Sequence, residues 1–250
     1  MAMIQAIDLS KRYTDGTLAL DALNLSVEPG EIYCLLGATG AGKTTTLNLF
    51  LNFTKPTAGR VLVNGVDANR EPYEAKRHMA YVTANMALYD QLTAFQNLEF
   101  FASLGRVRPR RENLAMAMRE VGLPERSFVQ RVETFSGGMR QKLGLAVALL
   151  KEAPALLLDE PMAGLDAQAS AELVEILRDL RDQGKALLLS TQDLFHAKQL
   201  ADTVGILKEG RKVLSYSREE LEYQDLEELY LNYMRGGLRL RGADDAPSWP

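Results

Sequence analysis

Cysteine and histidine are scarce in this sequence. Its single cysteine, Cys34, cannot form an intramolecular disulfide bond and is expected to be a small core residue. The two histidines, His78 and His196, lie far apart in the chain and do not have the spacing of a metal cluster. A disulfide-stapled fold and a Cys/His metal centre are therefore excluded.

Long apolar runs and a strong charge of one sign are also missing. No apolar stretch approaches the ~20 residues of a membrane span, and Met1–Asp8 lacks the features of a signal peptide. The net charge of −4 provides no basic field for nucleic acid or anionic lipid. With 46% apolar and 25% charged residues, the sequence predicts a cytosolic globular protein that meets a membrane only through a partner and binds no nucleic acid.

The sequence has no repeat, but one glycine-rich segment lies between a predicted strand and a predicted helix. Glu31–Leu36 is short and apolar, like a buried strand, and Thr46–Leu51 has apolar residues at helical spacing. Between them the pattern G-x-x-x-x-G-K-[ST] predicts a phosphate-binding P-loop. Its residues are Gly37, Ala38, Thr39, Gly40, Ala41, Gly42, Lys43, Thr44 and Thr45.

Each residue type in this segment suits a nucleotide. Glycines let the backbone wrap so that N–H groups face phosphate oxygens, and the helix N-terminus adds partial positive charge. Lys43 supplies an ammonium for the β- and γ-phosphates, and the Thr44 hydroxyl can bind Mg²⁺. The alternative is a plain glycine-rich turn, and the Lys-Thr pair at this offset argues against it. The segment therefore predicts nucleotide binding with Mg²⁺.

Strand signals surround this segment in the first third of the chain. Three strand patterns occur at Ile4–Tyr13, Leu18–Val27 and Arg60–Val63, the last followed by an Asn64-Gly65 turn. They predict an antiparallel β lobe around the P-loop strand. A short helix and a strand are predicted next, at Glu74–Met79 and Ala80–Thr83.

The rest of the chain divides into a helical block and a run of βα units. The helices are predicted at Thr93–Leu104, Arg111–Val121 and Ser136–Leu150. The βα units that follow are Ala155–Asp159, Ala167–Asp182, Ala186–Thr191, Asp193–Ala201, Thr203–Leu207 and Lys212–Ser215. Two terminal helices are predicted at Ser217–Tyr223 and Leu226–Met234, with a flexible tail at 236–250.

These elements predict an α/β fold: a P-loop NTPase core with an antiparallel β lobe and an inserted α-helical subdomain. One domain is expected over residues 1–235. The core and lobe are expected in 1–83 and 152–235, and the helical subdomain in about 84–151.

Two further segments carry chemistry. The apolar run Leu156–Leu158 leads into Asp159 and Glu160, and ligands of an open α/β sheet bind at the carboxyl ends of its strands. Asp159 is expected to hold Mg²⁺, and Glu160 to polarise a water for attack on the γ-phosphate. The second segment places Ser136, Gly137 and Gly138 at a helix start, which predicts another anion site. An ordinary N-cap is the alternative there.

The run Phe135–Lys142 resembles the signature motif of ATP-binding cassette (ABC) ATPases. The resemblance covers about residues 4–235 and implies a RecA-like core with this helical insertion. Tyr13 matches the aromatic residue that stacks on adenine, and the loop Pro161–Asp166 matches the one through which two ABC domains meet at ATP. The family implies a head-to-tail dimer, in which the P-loop of one copy and Ser136 of the other enclose each ATP.

The runs Leu88–Thr93 and Asp225–Tyr230 are similar to those of ABC-2 type exporters. That resemblance implies a separate membrane permease, contacted through the region around Ala84–Leu98, at the cytoplasmic face of the membrane.

Two positions depart from the family pattern. Ala84 stands where the family has Gln or an acid, and Gln192 stands where it usually has a His that contacts the γ-phosphate and the catalytic water. Gln192 can donate a neutral hydrogen bond but cannot carry charge. His196, one turn further on, is expected to face solvent rather than replace it.

The leading interpretation is the ATP-hydrolysing subunit of an ABC transporter, with ATP and Mg²⁺ as cofactors and with Lys43, Glu160 and Gln192 as catalytic residues. An ATP-dependent clamp or regulatory ABC protein, weakened by Ala84 and Gln192, is the alternative. A third interpretation, an ABC protein of ribosomes or DNA, fits poorly, because the chain is acidic and has neither a second cassette nor a long coiled coil.

Overall fold

Two β-sheets divide the strands of this protein, one antiparallel and one mainly parallel. The computed structural model describes residues 1–105, 109–222, 226–228 and 230. The strands in that part of the chain are β1 Ile4–Arg12, β2 Leu18–Val27, β3 Ile32–Leu36, β4 Ala58–Val63, β5 Val66–Asp67, β6 Met79–Thr83, β7 Ala155–Asp159, β8 Ala186–Thr191, β9 Thr203–Lys208 and β10 Arg211–Ser217. The predicted α/β fold class is confirmed.

Helices connect most of the parallel strands. They are α1 Lys43–Phe50, α2 Pro72–Arg77, α3 Ala94–Leu104, α4 Arg111–Glu120, α5 Gly137–Leu149, α6 Ala167–Asp182, α7 Leu194–Leu200 and α8 Arg218–Glu222. Two short 3₁₀ helices lie at Glu125–Ser127 and Val132–Thr134. The predicted helix Leu226–Met234 falls largely outside the described residues, and the tail 236–250 falls wholly outside them.

The larger sheet has the strand order β10-β9-β3-β8-β7-β6. Strands β9, β3, β8, β7 and β6 run parallel, and β10 pairs with β9 in an antiparallel hairpin. All five residues of β3 are buried, as are all six of β8. Continuous burial of this kind requires cover on both faces, which helices supply in parallel sheets.

The antiparallel lobe does not enclose the P-loop strand, so this part of the prediction is wrong. The smaller sheet has the order β2-β1-β4-β5, and β3 instead pairs with β8 and β9. The residues explain the difference, because β2 alternates between buried and exposed positions whereas β3 is buried throughout. An alternating strand suits a sheet with one solvated face, and a continuously apolar strand suits the interior of a parallel sheet.

Side-chain caps mark the starts of several helices. The Thr93 hydroxyl accepts a hydrogen bond from Gln96 N at 3.2 Å, and the Gln96 side chain accepts one from Thr93 N, so both form a capping box. Asp166 caps α6 by accepting from Ala169 N at 2.8 Å. The helix predicted at Glu74–Met79 begins two residues earlier, because Pro72 occupies the first turn of α2, where its missing N–H costs nothing.

Candidate nucleotide site

The P-loop runs from the end of β3 to the start of α1, and its glycines are needed for packing as well as for wrapping. Gly42 precedes α1 with a φ of 111°, and a Cβ there would lie 2.5 Å from the carbonyl oxygen of Ala19. A Cβ on Gly37 would lie 2.5 Å from the carbonyl oxygen of Leu207. The loop is therefore held between the β lobe and the β9–β10 hairpin, and no larger residue fits at either position.

Lys43 is buried at the centre of the loop, with 7% of its side chain exposed. Its Nζ donates to the carbonyl oxygens of Gly37 at 2.7 Å and Ala38 at 3.3 Å. The same Nζ lies 3.4 Å from Oε1 of Glu160. Lys43 therefore brings its ammonium next to the loop carbonyls and next to Glu160, the carboxylate predicted to polarise the attacking water.

Asp159 ends β7 beside the first turn of α1. Its carboxylate oxygens lie 3.2 and 3.4 Å from Thr44 Oγ1, and it accepts a hydrogen bond from Ser190. The Tyr81 hydroxyl donates to Oδ2 at 3.4 Å. Burial and then the nearby Asp159 charge raise the pKa of Tyr81 to about 12, so the phenol stays protonated near neutral pH. Two predicted metal ligands, Thr44 and Asp159, are thus side by side.

Glu160 adopts a backbone conformation that side chains rarely take. Its φ is 49°, in the left-handed region, and its N–H donates to the Ser190 carbonyl at 3.0 Å. This geometry turns the side chain towards the P-loop, where Oε2 accepts from the backbone N of Gln192 at 3.3 Å. A non-glycine residue in this region is strained, and such strain occurs preferentially at functional sites.

The two departures from the family pattern lie in different surroundings. The Gln192 side chain accepts a hydrogen bond from Thr39 Oγ1 at 3.3 Å, so it contacts the P-loop directly. Ala84 has no polar side chain, but its N–H donates to the Asp159 carbonyl at 3.1 Å. The expectation that His196 faces solvent is wrong, because its side chain is only 15% exposed and its Nδ1 lies 3.0 Å from Asp193 Oδ2. Asp193, which caps α7, holds the imidazole against the start of the helix.

A cavity of about 550 Å³ opens over the P-loop. Its lining includes the predicted residues Ala38, Thr39, Gly40, Gly42, Lys43, Thr44, Thr45, Glu160 and Gln192. It also includes Thr17, Leu18, Ala19 and Glu209, which the sequence analysis did not identify. Thr17–Ala19 follow an ordinary turn and Glu209 lies in a distant hairpin, so only the fold brings them to the P-loop.

Tyr13 lies beside this cavity rather than in its lining. Its hydroxyl is 3.4 Å from Thr45 Oγ1, and the Lys11 ammonium lies 5.0 Å from its ring centroid. Tyr13 as a whole residue is 37% exposed. It is therefore an accessible aromatic face next to the last residue of the P-loop, as the base of a bound nucleotide would require.

A second cavity, of about 360 Å³, contains the other predicted anion site. Ser136, Gly138 and Asp166 line it together with Met139 and residues of α6. A Cβ on Gly138 would lie 2.7 Å from the Cβ of Ala169, so α5 and α6 are in close contact here. The two cavities share no lining residue. The site residues predicted from sequence are thus brought together in two separate groups.

The oxygen donors of this site suit Mg²⁺. Among the described residues, no group of three or more His, Cys, Asp or Glu side chains is placed to hold a metal. Thr44 and Asp159 offer one hydroxyl and one carboxylate. Mg²⁺ prefers oxygen ligands, keeps several waters and is commonly bound by one or two carboxylates plus substrate phosphates.

Comparisons with known proteins agree with this geometry. A family model described as "ABC transporter" matches residues 20–163. The daunorubicin resistance ATP-binding protein DrrA3 of Streptomyces coeruleorubidus is 38% identical over 217 residues, which cover 85% of this chain and 67% of that protein. A solved ATP binding subunit of an ABC transporter is 30% identical, with a TM-score of 0.81, over 93% of this chain and 99% of the other.

A second solved structure is a dimeric ATP-binding cassette in a post-hydrolysis state, bound to ADP and Pi. It is 25% identical with a TM-score of 0.74, and the match covers 86% of this chain and 99% of that one. Within the described residues, none of the helices has the length and apolar character needed to cross a membrane.

Proposed function

This chain belongs to the ABC transporter family as an ATP-binding, ATP-hydrolysing subunit, and on that premise we propose that it powers an ABC-2 type exporter. Two copies close head-to-tail around ATP, and hydrolysis to ADP and phosphate reopens them. This cycle drives a separate membrane permease. The chain therefore resides at the cytoplasmic face of the membrane, held there by that permease.

The main support for the proposal is the separation of the two cavities that are predicted to bind phosphate. One contains Lys43, Thr44 and Glu160, and the other contains Ser136, Gly138 and Asp166, with no residue in common. A single copy thus leaves its second cavity without a P-loop. A head-to-tail dimer uses both, because each P-loop then faces the Ser136 helix of the other copy.

The nucleotide is held by the P-loop from Gly37 to Thr45. Backbone N–H groups and the N-terminus of α1 bind its phosphates, and the Lys43 ammonium forms ion pairs with the β- and γ-phosphates. Tyr13 stacks on adenine. Thr44 and Asp159 hold Mg²⁺, which neutralises charge on the phosphates when bound. In the closed dimer, Ser136, Gly137, Gly138 and Asp166 of the other copy complete the site.

Hydrolysis depends on Glu160. Its carboxylate lies at the carboxyl end of β7, beside Lys43 and the backbone N–H of Gln192. In that position it accepts a proton from the attacking water, while Gln192 donates a neutral hydrogen bond near the γ-phosphate. Most of the acceleration comes from positioning and electrostatic stabilisation of the transferring phosphoryl group.

Export is proposed from the relatives and from one exposed surface. Relatives of this chain carry names such as "Daunorubicin resistance ATP-binding protein" and "Nod factor export ATP-binding protein". The permease-facing region is proposed to be Ala84–Leu98, where Tyr89 is 47% exposed and stacks edge-on against Phe100, with ring centroids 4.6 Å apart. Exposed aromatic residues are enriched at protein interfaces.

The proposal also includes the domain boundaries. Residues 1–235 form one ABC ATPase domain, with the core and lobe in 1–83 and 152–235. The helical subdomain occupies about 84–151, where α3, α4 and α5 lie. The alternative of a weakened ATP-dependent clamp has no support from the comparisons.

The proposal is tested by dimer formation. A Glu160→Gln variant should remain bound to ATP and become a dimer in light scattering with Mg-ATP, but stay a monomer with Mg-ADP. A Glu160→Gln/Ser136→Arg variant is the matched control, because the added side chain blocks the second cavity and leaves the P-loop intact. A Glu160→Gln chain that stays monomeric at all ATP concentrations would contradict the proposal.

A further inference from the structure

The loop between Tyr89 and Thr93, termed here the 89–93 loop, contacts the start of α5 through one side-chain pair. The Arg140 guanidinium forms an ion pair with the Asp90 carboxylate and donates to the Val132 carbonyl at 2.8 Å. Arg140 N in turn donates to the Ser136 carbonyl at 2.9 Å. Arg140 therefore lies one helical turn after Ser136 and is bonded both to it and to the 89–93 loop.

Backbone hydrogen bonds extend this contact to the segment that precedes α5. Glu133 N donates to the Asp90 carbonyl, and Val132 N donates to the Leu92 carbonyl, both at 3.0 Å. The Gln91 amide donates to the Glu133 carboxylate at 3.0 Å. The 89–93 loop and the residues that lead into Ser136 thus form a small paired unit.

The opposite side of the 89–93 loop is fixed to α3 by one fully buried amide. Asn97 Oδ1 accepts from Tyr89 N at 2.8 Å, and its Nδ2 donates to the carbonyls of Tyr89 and Thr93, both at 3.0 Å. A buried amide with all these bonds satisfied holds both ends of the loop rigidly. The backbone at both ends of the loop is therefore tied to α3.

We propose that Asp90 and Arg140 form an ionic latch that positions the first turn of α5, and with it Ser136, for the nucleotide of a second copy. Movement of the exposed Tyr89 surface reaches Ser136 through this latch. The proposal rests on the proposed head-to-tail dimer and names a point at which that site is regulated. Both are positioning residues, since neither lines the nucleotide cavity.

The exposure of the pair argues for an orienting role rather than a stabilising one. The side chains of Arg140 and Asp90 are 34% and 54% exposed, and ion pairs this accessible contribute little to folding. The pair nevertheless fixes a helix N-terminus whose direction decides whether Ser136 meets a phosphate. Its loss should change dimer closure much more than thermal stability.

The experiment compares three Asp90 variants in the Glu160→Gln chain. Asp90→Ala and Asp90→Asn remove the charge, and Asp90→Glu retains it. The control is Glu125→Ala, which breaks the exposed Arg119–Glu125 pair of 2.7 Å on the same helical block. Binding of a fluorescent ATP analogue at nanomolar protein measures the single copy, and light scattering with Mg-ATP measures the dimer.

We expect Asp90→Ala to weaken ATP-dependent dimerisation about tenfold, within the usual range of coupling between sites. ATP affinity of the single copy and the melting temperature should match the Glu125→Ala control, and Asp90→Glu should recover most of the loss. Arg140→Ala should add little to Asp90→Ala if the two act as a unit. Unchanged dimerisation in both Asp90→Ala and Asp90→Asn would overturn the latch.

Amide exchange separates failure of the latch from failure of the dimer. Exchange at Met139, Arg140 and Gln141 should be several-fold faster in Asp90→Ala than in the control, with or without a dimer. A parent that never dimerises contradicts the proposed function, and the exchange measurement then judges the latch alone. Equal exchange rates in Asp90→Ala and the control would overturn it.

Discussion

The helix N-termini beside the two cavities, those of α1 and α5, are built differently. Helix α1 follows Gly42 and has no side-chain cap, so its first N–H groups are left for a ligand. Helix α5 is capped by Ser136, whose hydroxyl accepts from Met139 N at 3.3 Å. The hydroxyl proton of that serine remains available to donate. The first helix end offers bare backbone donors, and the second offers one hydroxyl in a preset direction.

The cations beside these helices differ in how closely a carboxylate holds them. Lys43 Nζ lies 2.7 Å from the Gly37 carbonyl oxygen and 3.4 Å from Glu160. For Lys142 of the second cavity the order is reversed, with Glu172 at 2.6 Å and the Gly122 carbonyl oxygen at 3.4 Å. The hydrogen bond from Lys142 is the main reason that the pKa of Glu172 lies below its usual value. This difference fits the proposed function, in which the P-loop cavity binds the triphosphate and the second cavity completes the site of the other copy.

Of the changes that probe the difference between the two cavities, Glu160→Gln should have the largest effect. Loss of a positioned general base should slow phosphate release by ~10²–10⁴-fold while ATP stays bound. The neighbouring Asp193→Asn variant, which keeps the helix cap and lies outside the cavity lining, provides the control. Steady-state phosphate release at the parent rate would show that Glu160 is not the base.

The next test compares the two lysines. Lys43→Ala should weaken ATP binding by the single copy about 10–100-fold, since a charge-assisted hydrogen bond contributes ~1.5–3 kcal/mol. Lys142→Ala should leave that affinity unchanged, because Lys142 belongs to the second cavity. Titration with a fluorescent ATP analogue measures both. Equal losses would mean that the cavities are not independent.

Ser136→Gly should have a smaller effect, confined to the dimer. Glycine costs an N-cap only a few tenths of a kcal/mol, so α5 should stay folded. The lost neutral hydrogen bond, worth ~0.5–1.5 kcal/mol, should slow hydrolysis by roughly 2- to 13-fold. Single-copy ATP affinity should not change. A drop in that affinity as large as that of Lys43→Ala would show that one copy uses both cavities.

The smallest expected change is a gain. Gln192→His should raise the hydrolysis rate roughly fivefold, because a charged donor is worth about 1 kcal/mol more than a neutral one. Ala84→Gln is the companion variant and should alter the Mg²⁺ dependence more than the maximal rate. Rates of phosphate release over a Mg²⁺ titration distinguish the two. A slower Gln192→His enzyme would indicate that the Thr39–Gln192 hydrogen bond is itself needed.

Sequence patterns predicted the fold closely where local chemistry decides it. β7, β8 and α6 have the predicted bounds, because apolar runs mark the strands and apolar residues at helical spacing mark the helix. Sequence patterns were less informative about features that depend on contacts between distant segments of the chain. The sheet to which β3 belongs, the approach of Glu209 to the P-loop and the contact of Gly37 with Leu207 all depend on how far separated strands align.

The candidate site shows the same limit. One loop motif and one strand end predicted Lys43, Thr44 and Asp159 as site residues. In the structure Thr44 lies 3.2 Å from Asp159, and Lys43 lies 3.4 Å from Glu160. The left-handed backbone of Glu160 has no sequence signal, because no glycine stands there to mark a positive φ. The partial burial of His196 was missed because the imidazole lies against Asp193, the residue that caps its own helix.

The position of β3 between β8 and β9 has a consequence for how this protein is made. The P-loop is translated early, but Gly37 N bonds the carbonyl of Thr191, and Ala41 accepts from Gly210 N. At about 5–20 residues per second, the ribosome needs roughly 10–30 s to deliver those partners. Throughout that interval the nascent chain carries a P-loop without its frame. We therefore expect ATP to stabilise the nascent chain only after residue 210 has been synthesised, so it cannot guide the earlier folding steps.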